Sequence, residues 1–257
     1  MYLPANIKQP DKQSINSVLV DITLQALKEN TGDILIFLAG AKEIQELQKA
    51  LEKKVDTTLI ELLPLYSALS KDKQDKALLP LKKRKIILST NIAQTSLTIE
   101  GVRVVIDSGL EKLSQYDYSN AMNHLNLSFI SNDSAVQRAG RAGRLSHGKC
   151  YKLWHQGKIL QESSKAEILR TDLSSFYLEL ANWGVQDAKE LSLLDYPNES
   201  VQNSTKEMLK ELHMLNENDE ITDVGQKALR LGLHPRFAHM ILQANSLGFA
   251  YEACLLV

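Results

Sequence analysis

Short apolar runs alternate with stretches of helical spacing over roughly the first 156 residues. Residues 34–38, 59–63, 85–88 and 102–106 read as strands, and three of the four are nearly continuous in Leu, Ile or Val. Such runs belong to strands buried on both faces, whereas a half-exposed strand alternates apolar with polar. Between them, Ile44, Leu47 and Leu51 fall at helical spacing within 42–54, and Ser70 stands as an N-cap before a helix over 70–79. Strand-helix-strand repetition predicts an α/β fold with a parallel sheet covered by helices on both faces. Ligands of such sheets bind beyond the carboxyl ends of the strands. Residues 149–154 alternate as a further strand.

Residues 111–131 have a different texture. Segments 112–116 and 124–130 alternate, with turn residues Asp117, Tyr118, Ser119 and Asn120 between them, so a β-hairpin is predicted. Beyond residue 157 the period becomes helical. Leu173, Phe176, Tyr177, Leu180 and Trp183 continue a stripe that starts at 167–170 and stops at Gly184. A second helix is expected over 199–215, then a short strand at 220–222, a helix capped by Thr222, and a helix opened by Pro235. Helices with one short β-wing point to a winged helix. Base readout needs Arg, Asn or Gln clustered on a recognition helix, and none is present, so a structural brace is the expected role.

Composition narrows the class. The 257 residues are 44% hydrophobic and 24% charged, which describes a globular chain of one large or two small domains. A net charge of −1 leaves room only for a local basic stripe as a nucleic-acid surface. Two cysteines, Cys150 and Cys254, make no disulfide framework. His147, Cys150 and His155 match no common zinc spacing, and no metal site is expected. The apolar run at 34–41 is too short to span a bilayer and no signal pattern opens the chain, so no membrane partner and a cytoplasmic location are expected. The basic run 82–85 reads as a solvated loop.

The most informative string is Gln137-Arg138-Ala139-Gly140-Arg141-Ala142-Gly143-Arg144. On a helix, Gln137, Arg141 and Arg144 share one face at i, i+4 and i+7. Two guanidiniums and an amide there make a clamp for phosphate oxygens. The interleaved Gly and Ala are out of place on an ordinary solvated face, and a glycine inside a helix is accepted where something must come close.

This octamer resembles motif VI of superfamily 2 helicases in the Gln-led form of the DEAH-box/RHA group, and the run 89–99 resembles that group's motif V. The segments 63–69, 99–103 and 231–236 are similar to bacterial DEAH-box helicases of the HrpB type, and the resemblance covers nearly the whole chain. It implies a second RecA-like domain over 1–156 carrying the hairpin, a winged-helix-like domain over 157–230, and the start of a helical ratchet domain over 231–257. It further implies catalytic roles for Gln137, Arg141 and Arg144, with Asp107, Gly109, Arg138 and Gly140 on the nucleotide side. Ser67, Thr90, Asn91, Thr95 and Thr98 would contact the backbone of single-stranded RNA or DNA, and the hairpin would help to part a duplex. ATP and Mg2+ would be held mainly by an N-terminal RecA-like domain of the same protein, and the chain reads as a fragment covering the later domains.

No G-x-x-x-x-G-K-[ST] loop and no Asp-Glu-Ala-His box occur in the chain. Residues 143–150 fit the loop pattern except for Cys150, and their alternation at 149–154 contradicts the helix that such a lysine opens. The chain alone is therefore expected not to hydrolyse ATP. The other class of function open to it is a non-catalytic scaffold that binds nucleic acid or protein, for which keeping both arginines has no rationale. One departure is Gln94, where the group's motif V usually has Glu.

Overall fold

The computed structural model describes residues 1–4, 14–95, 99–142 and 147–257. Five parallel strands make the sheet: β1 (Asp33–Phe37), β2 (Ile60–Leu65), β3 (Arg84–Ser89), β4 (Val102–Asp107) and, after a hairpin, β7 (Lys149–Lys152). Their order is β2-β3-β1-β4-β7, so β2 and β7 are the edges. The hairpin is β5 (Leu110–Asp117) with β6 (Met122–Phe129), a separate two-stranded ribbon.

Both sheet faces are covered, as the near-continuous apolar runs require. Ile34, Ile36, Ile86, Leu88, Val104 and Ile106 face α1 (Ile15–Glu29) and α2 (Ala41–Glu52). Leu35, Phe37, Ile87 and Val105 face the other way, with Ala77 of α3 (Lys71–Leu78), Ala93 and Ala142. Val102 would share the first face by strict alternation. A register shift, with Asp33 opposite Val102 but Ile34 opposite Val104, turns it to the second. β2 is buried only in part, as an edge strand should be.

Ser70 sits at the N-cap position of α3, yet its side chain makes no capping bond. The basic run 82–85 is not a uniform solvated loop. Arg84 and Lys85 open β3, and Lys85 is 1% exposed. Its Nζ donates to the carbonyls of Ala77 at 3.2 Å and Leu79 at 2.9 Å and pairs with Asp33 at 3.7 Å, which satisfies the buried ammonium. Cys150 has its thiol pushed up to about 12, chiefly by burial.

The chain separates into two compact units, 1–113 with 125–164, and 114–124 with 165–257. In the second, α5 (Ser174–Asn182), α6 (Glu199–Glu211), α7 (Asp223–Leu231), α8 (Pro235–Ser246) and α9 (Ala250–Leu255) follow one another. Leu173, Tyr177, Leu178, Leu180, Leu209, Met214 and Ala228 form its core. The stripe expected from 167 to 183 is interrupted: 167–169 is a single 3-10 turn and α5 begins only at Ser174. Gly184 then ends it with φ +78°. Thr222 caps α7, accepting from Gly225 N–H at 3.2 Å, and Pro235 takes the first position of α8. The wing shrinks to one antiparallel bridge between Leu215 and Ile221. No helix among the described residues is long and apolar enough to cross a membrane.

Within this unit Asp172 joins the hairpin tip to two helix starts. Its carboxylate accepts the Ser174 N–H at 2.7 Å, lies 3.4 Å from His234 Nε2 and is bonded by Tyr116. Burial raises its pKa, but the bonds from His234, Ser174 and Tyr116 outweigh it and hold the group well below the usual carboxylate range. A folded-state pKa below the unfolded one gives stability that is present above the ordinary Asp value and lost as pH falls through the folded one. Asp172→Asn should therefore lower stability at pH 7 by about 2 kcal/mol and flatten the acid limb of thermal melts between about pH 4 and 2. An unchanged acid limb would refute this.

Candidate functional site

Ser67 follows β2, Thr90 and Asn91 follow β3, and Asp107 closes β4, so these residues gather at the carboxyl end of one parallel sheet. The ends are stitched together, Thr90 N–H donating to Leu65 O at 3.2 Å and Leu38 N–H to Ser89 O at 2.8 Å. Ser67, Asn91 and Thr95 are exposed and Thr90 half-buried, positions from which a ligand can be reached. Thr98 and Arg144 lie outside the described residues.

Residues 132–140 form α4 (Asn132–Gly140), and Arg141 follows as its C-cap, still in helical conformation (φ −67°, ψ −29°). Gln137 and Arg141 thus keep the shared face expected of them. With Gly140, Gln94 and Thr95 they line a cavity of about 330 Å³. Among the described residues nothing lies within 4 Å of where a Cβ on Gly140 would stand.

Arg138, beside them on the same stripe, turns into the interior. Its side chain is fully buried. Nη1 donates to Asp107 Oδ1 at 3.1 Å, Nη2 lies 3.5 Å from Glu111, Nε donates to Gln94 Oε1 at 3.0 Å, and the guanidinium carbon stands 5.0 Å from the Phe37 ring centre. Asp107 Oδ1 also accepts the Gly109 N–H at 2.9 Å. Burial pushes the Asp107 carboxyl up, against the pull of Arg138 and the Gly109 amide. Arg138 and Asp107, expected on the nucleotide side, are buried within this chain and act there as internal struts. Gly109 has a local structural role. It is buried at φ +73°, and a Cβ there would stand 2.6 Å from Trp154, so its glycine serves a tight turn under an indole. Only Gly140 of the four expected nucleotide-side residues is exposed.

Gln94 is the residue that reading the sequence undervalued. Its Nε2 donates to Ser134 Oγ at 2.9 Å and Gln137 Oε1 at 3.3 Å, and its Oε1 takes Arg138. Its carbonyl accepts Arg141 Nε at 2.8 Å and also Nη2, which reaches Thr95 O as well. The only signal in the sequence was the departure from Glu. In the segment that fits the loop pattern except for Cys150, Lys149 opens strand β7 rather than a helix.

The parallel sheet carries a helix-borne Gln/Arg face at its carboxyl end, and the chain belongs to the helicase conserved C-terminal domain family, whose model matches residues 14–146. It is similar to ATP-dependent RNA helicase HrpB of Escherichia coli (strain K12), 38% identical over 249 residues, which are 95% of this chain and 30% of HrpB. ATP-dependent RNA helicase HrpA of Borreliella burgdorferi is 39% identical over 230 residues, 87% of this chain and 28% of HrpA. The crystal structure of the Escherichia coli DEAH/RHA helicase HrpB superposes with a TM-score of 0.88 at 37% identity, covering 98% of this chain and 32% of that one. The chain thus spans about 30% of the length of HrpB.

Arg138→Met should destabilise the chain by about 3–5 kcal/mol, since Asp107 and Glu111 would stay buried without their cation. Urea denaturation followed by Trp fluorescence measures this, and a loss below about 1 kcal/mol would mean that the cage is not needed.

Proposed function

We propose that this chain is the second motor half of an ATP-dependent helicase that moves along single-stranded RNA or DNA. Arg141, with Arg144, contacts the γ-phosphate of ATP bound by an N-terminal RecA-like domain of the same protein. Gln137 orients the phosphate or the attacking water. A guanidinium there stabilises charge spread over the phosphoryl oxygens in the transition state. Ser67, Thr90, Asn91, Thr95 and Thr98 grip the sugar-phosphate backbone, small neutral donors that give hold without base choice. The observation carrying this reading is the cavity between Gln94–Thr95 and Gln137–Arg141, which the Arg141 cation and the Gln137 amide line together, while the Gln94 amide is taken up by Ser134, Gln137 and Arg138. Residues 157–230 serve as a brace and 231–257 begin a ratchet domain.

The Mg2+ that accompanies ATP does not fit this chain. The cavity residues Gln94, Thr95, Gln137, Gly140 and Arg141 include no carboxylate, and Asp107 is buried against Arg138. Metal and triphosphate are left to the partner domain.

In the full-length protein, ATP turnover should rise with single-stranded RNA or DNA and fall about a thousandfold in Arg141→Ala. The isolated chain should show no turnover, since it has no phosphate-binding loop. Turnover indifferent to Arg141 would favour a scaffold instead.

A further inference from the structure

One residue holds four positions of α4 and its cap at once. Gln94 meets Ser134, Gln137 and Arg138 with its side chain and Arg141 with its carbonyl. These positions follow i, i+3, i+4 and i+7, a single stripe facing Gln94. The orientation of its amide is dictated by chemistry. Arg138 Nε can only donate, so the Gln94 oxygen must face it and the NH2 must face Ser134 and Gln137.

The other end of the connection is equally fixed. Gln94 closes the 3-10 turn Asn91–Ala93, its N–H donating to Asn91 O at 2.9 Å, and Ala93 is fully buried beneath that turn. Thr90 and Asn91 enter the turn directly from β3. Displacing them therefore displaces Gln94, because a hydrogen-bonded turn pivoting on a buried residue has little freedom to absorb movement. Arg138, caged by Asp107, Glu111 and Phe37, gives the amide a stationary partner.

We propose that Gln94 is a positioning residue that makes the strand-end loop 90–95 and the Gln137/Arg141 face move together, so that nucleic acid held by the loop sets the pose of the phosphate-facing side chains. This deepens the function proposed above and rests on it. Gln94 touches neither substrate; it acts through Gln137 and Arg141. A group with oxygen but no NH2 can still serve, because the Ser134 hydroxyl and a rotated Gln137 amide can donate to it. An apolar side chain of similar length cannot.

The test uses the full-length protein, as wild type, Gln94→Leu, Gln94→Glu and Arg141→Ala. ATP turnover is measured without nucleic acid, with a single-stranded RNA oligonucleotide and with its DNA counterpart, and affinity for the oligonucleotide by fluorescence anisotropy. Gln94→Leu should keep unstimulated turnover and affinity within about threefold of wild type, while stimulation falls by about tenfold to a hundredfold, as for misplaced reacting groups. Gln94→Glu should restore most of the stimulation. Full stimulation in Gln94→Leu would overturn the proposal. So would a parallel fall of unstimulated turnover, stimulation and affinity, which marks a merely structural bond, or a Glu variant as impaired as Leu. Wild-type turnover that ignores both oligonucleotides or the loss of Arg141 would instead remove the helicase reading, and this proposal with it.

Discussion

A guanidinium without access to water organises the carboxyl end of the sheet. Arg138 is held by Asp107 at the tip of β4, by Glu111 at the base of the hairpin, by Gln94 in the loop after β3, and against Phe37 at the end of β1. Four elements, β1, β4, the loop after β3 and the hairpin, converge on one side chain. A buried ion group of this kind adds little net stability over an apolar replacement, but it is costly to break and demands specific geometry. Its value here is position. With Arg138 fixed, the neighbouring Gln137 and Arg141 face the cavity from a helix that cannot turn.

This division of labour within one helix reconciles rigidity with reach. The inward residues of α4, Ser134, Ala135 and Arg138, are buried, whereas Val136 and Gln137 are exposed. Two arginines three residues apart thus do opposite jobs. Arg138 is spent on structure, and Arg141 lies at the helix end, where its side chain lies along the Gln94 and Thr95 carbonyls. A static strut beside a reachable cation is a sound arrangement for chemistry that depends on preorganised charge.

Much of this was legible in the sequence. Buried strands have to be apolar throughout, so β1, β3 and β4 showed themselves, and the alternation at 112–130 gave the hairpin to within a few residues. The burial of Arg138 was harder to see, because a basic residue beside Gln and Arg reads as part of their face. The clue lay in its flanks: Ala135 and Ala142, at i−3 and i+4, are small, apolar and buried, and they put Arg138 on the core side. Gln94 carried no periodic signal, since a hub of hydrogen bonds depends on tertiary placement. The wing is shorter than its sequence suggests for a related reason. Residues 220–222 favour extension, but they meet no more than the short stretch Met214–Asn216, through the Leu215–Ile221 bridge and the backbone bonds beside it.

The two edges of the sheet are closed by different means. At β7, Lys152 N–H donates to the Met1 carbonyl at 2.8 Å and Leu3 N–H to the Trp154 carbonyl at 3.1 Å, so residues 1–3 lie along that strand. At β2, Pro64 stands opposite Leu88 and has no N–H to offer a newcomer. An open row of amides invites a second molecule to add its own strand, and runaway stacking follows. A proline on one flank and residues 1–3 on the other deny that template, and among the described residues the sheet has five strands.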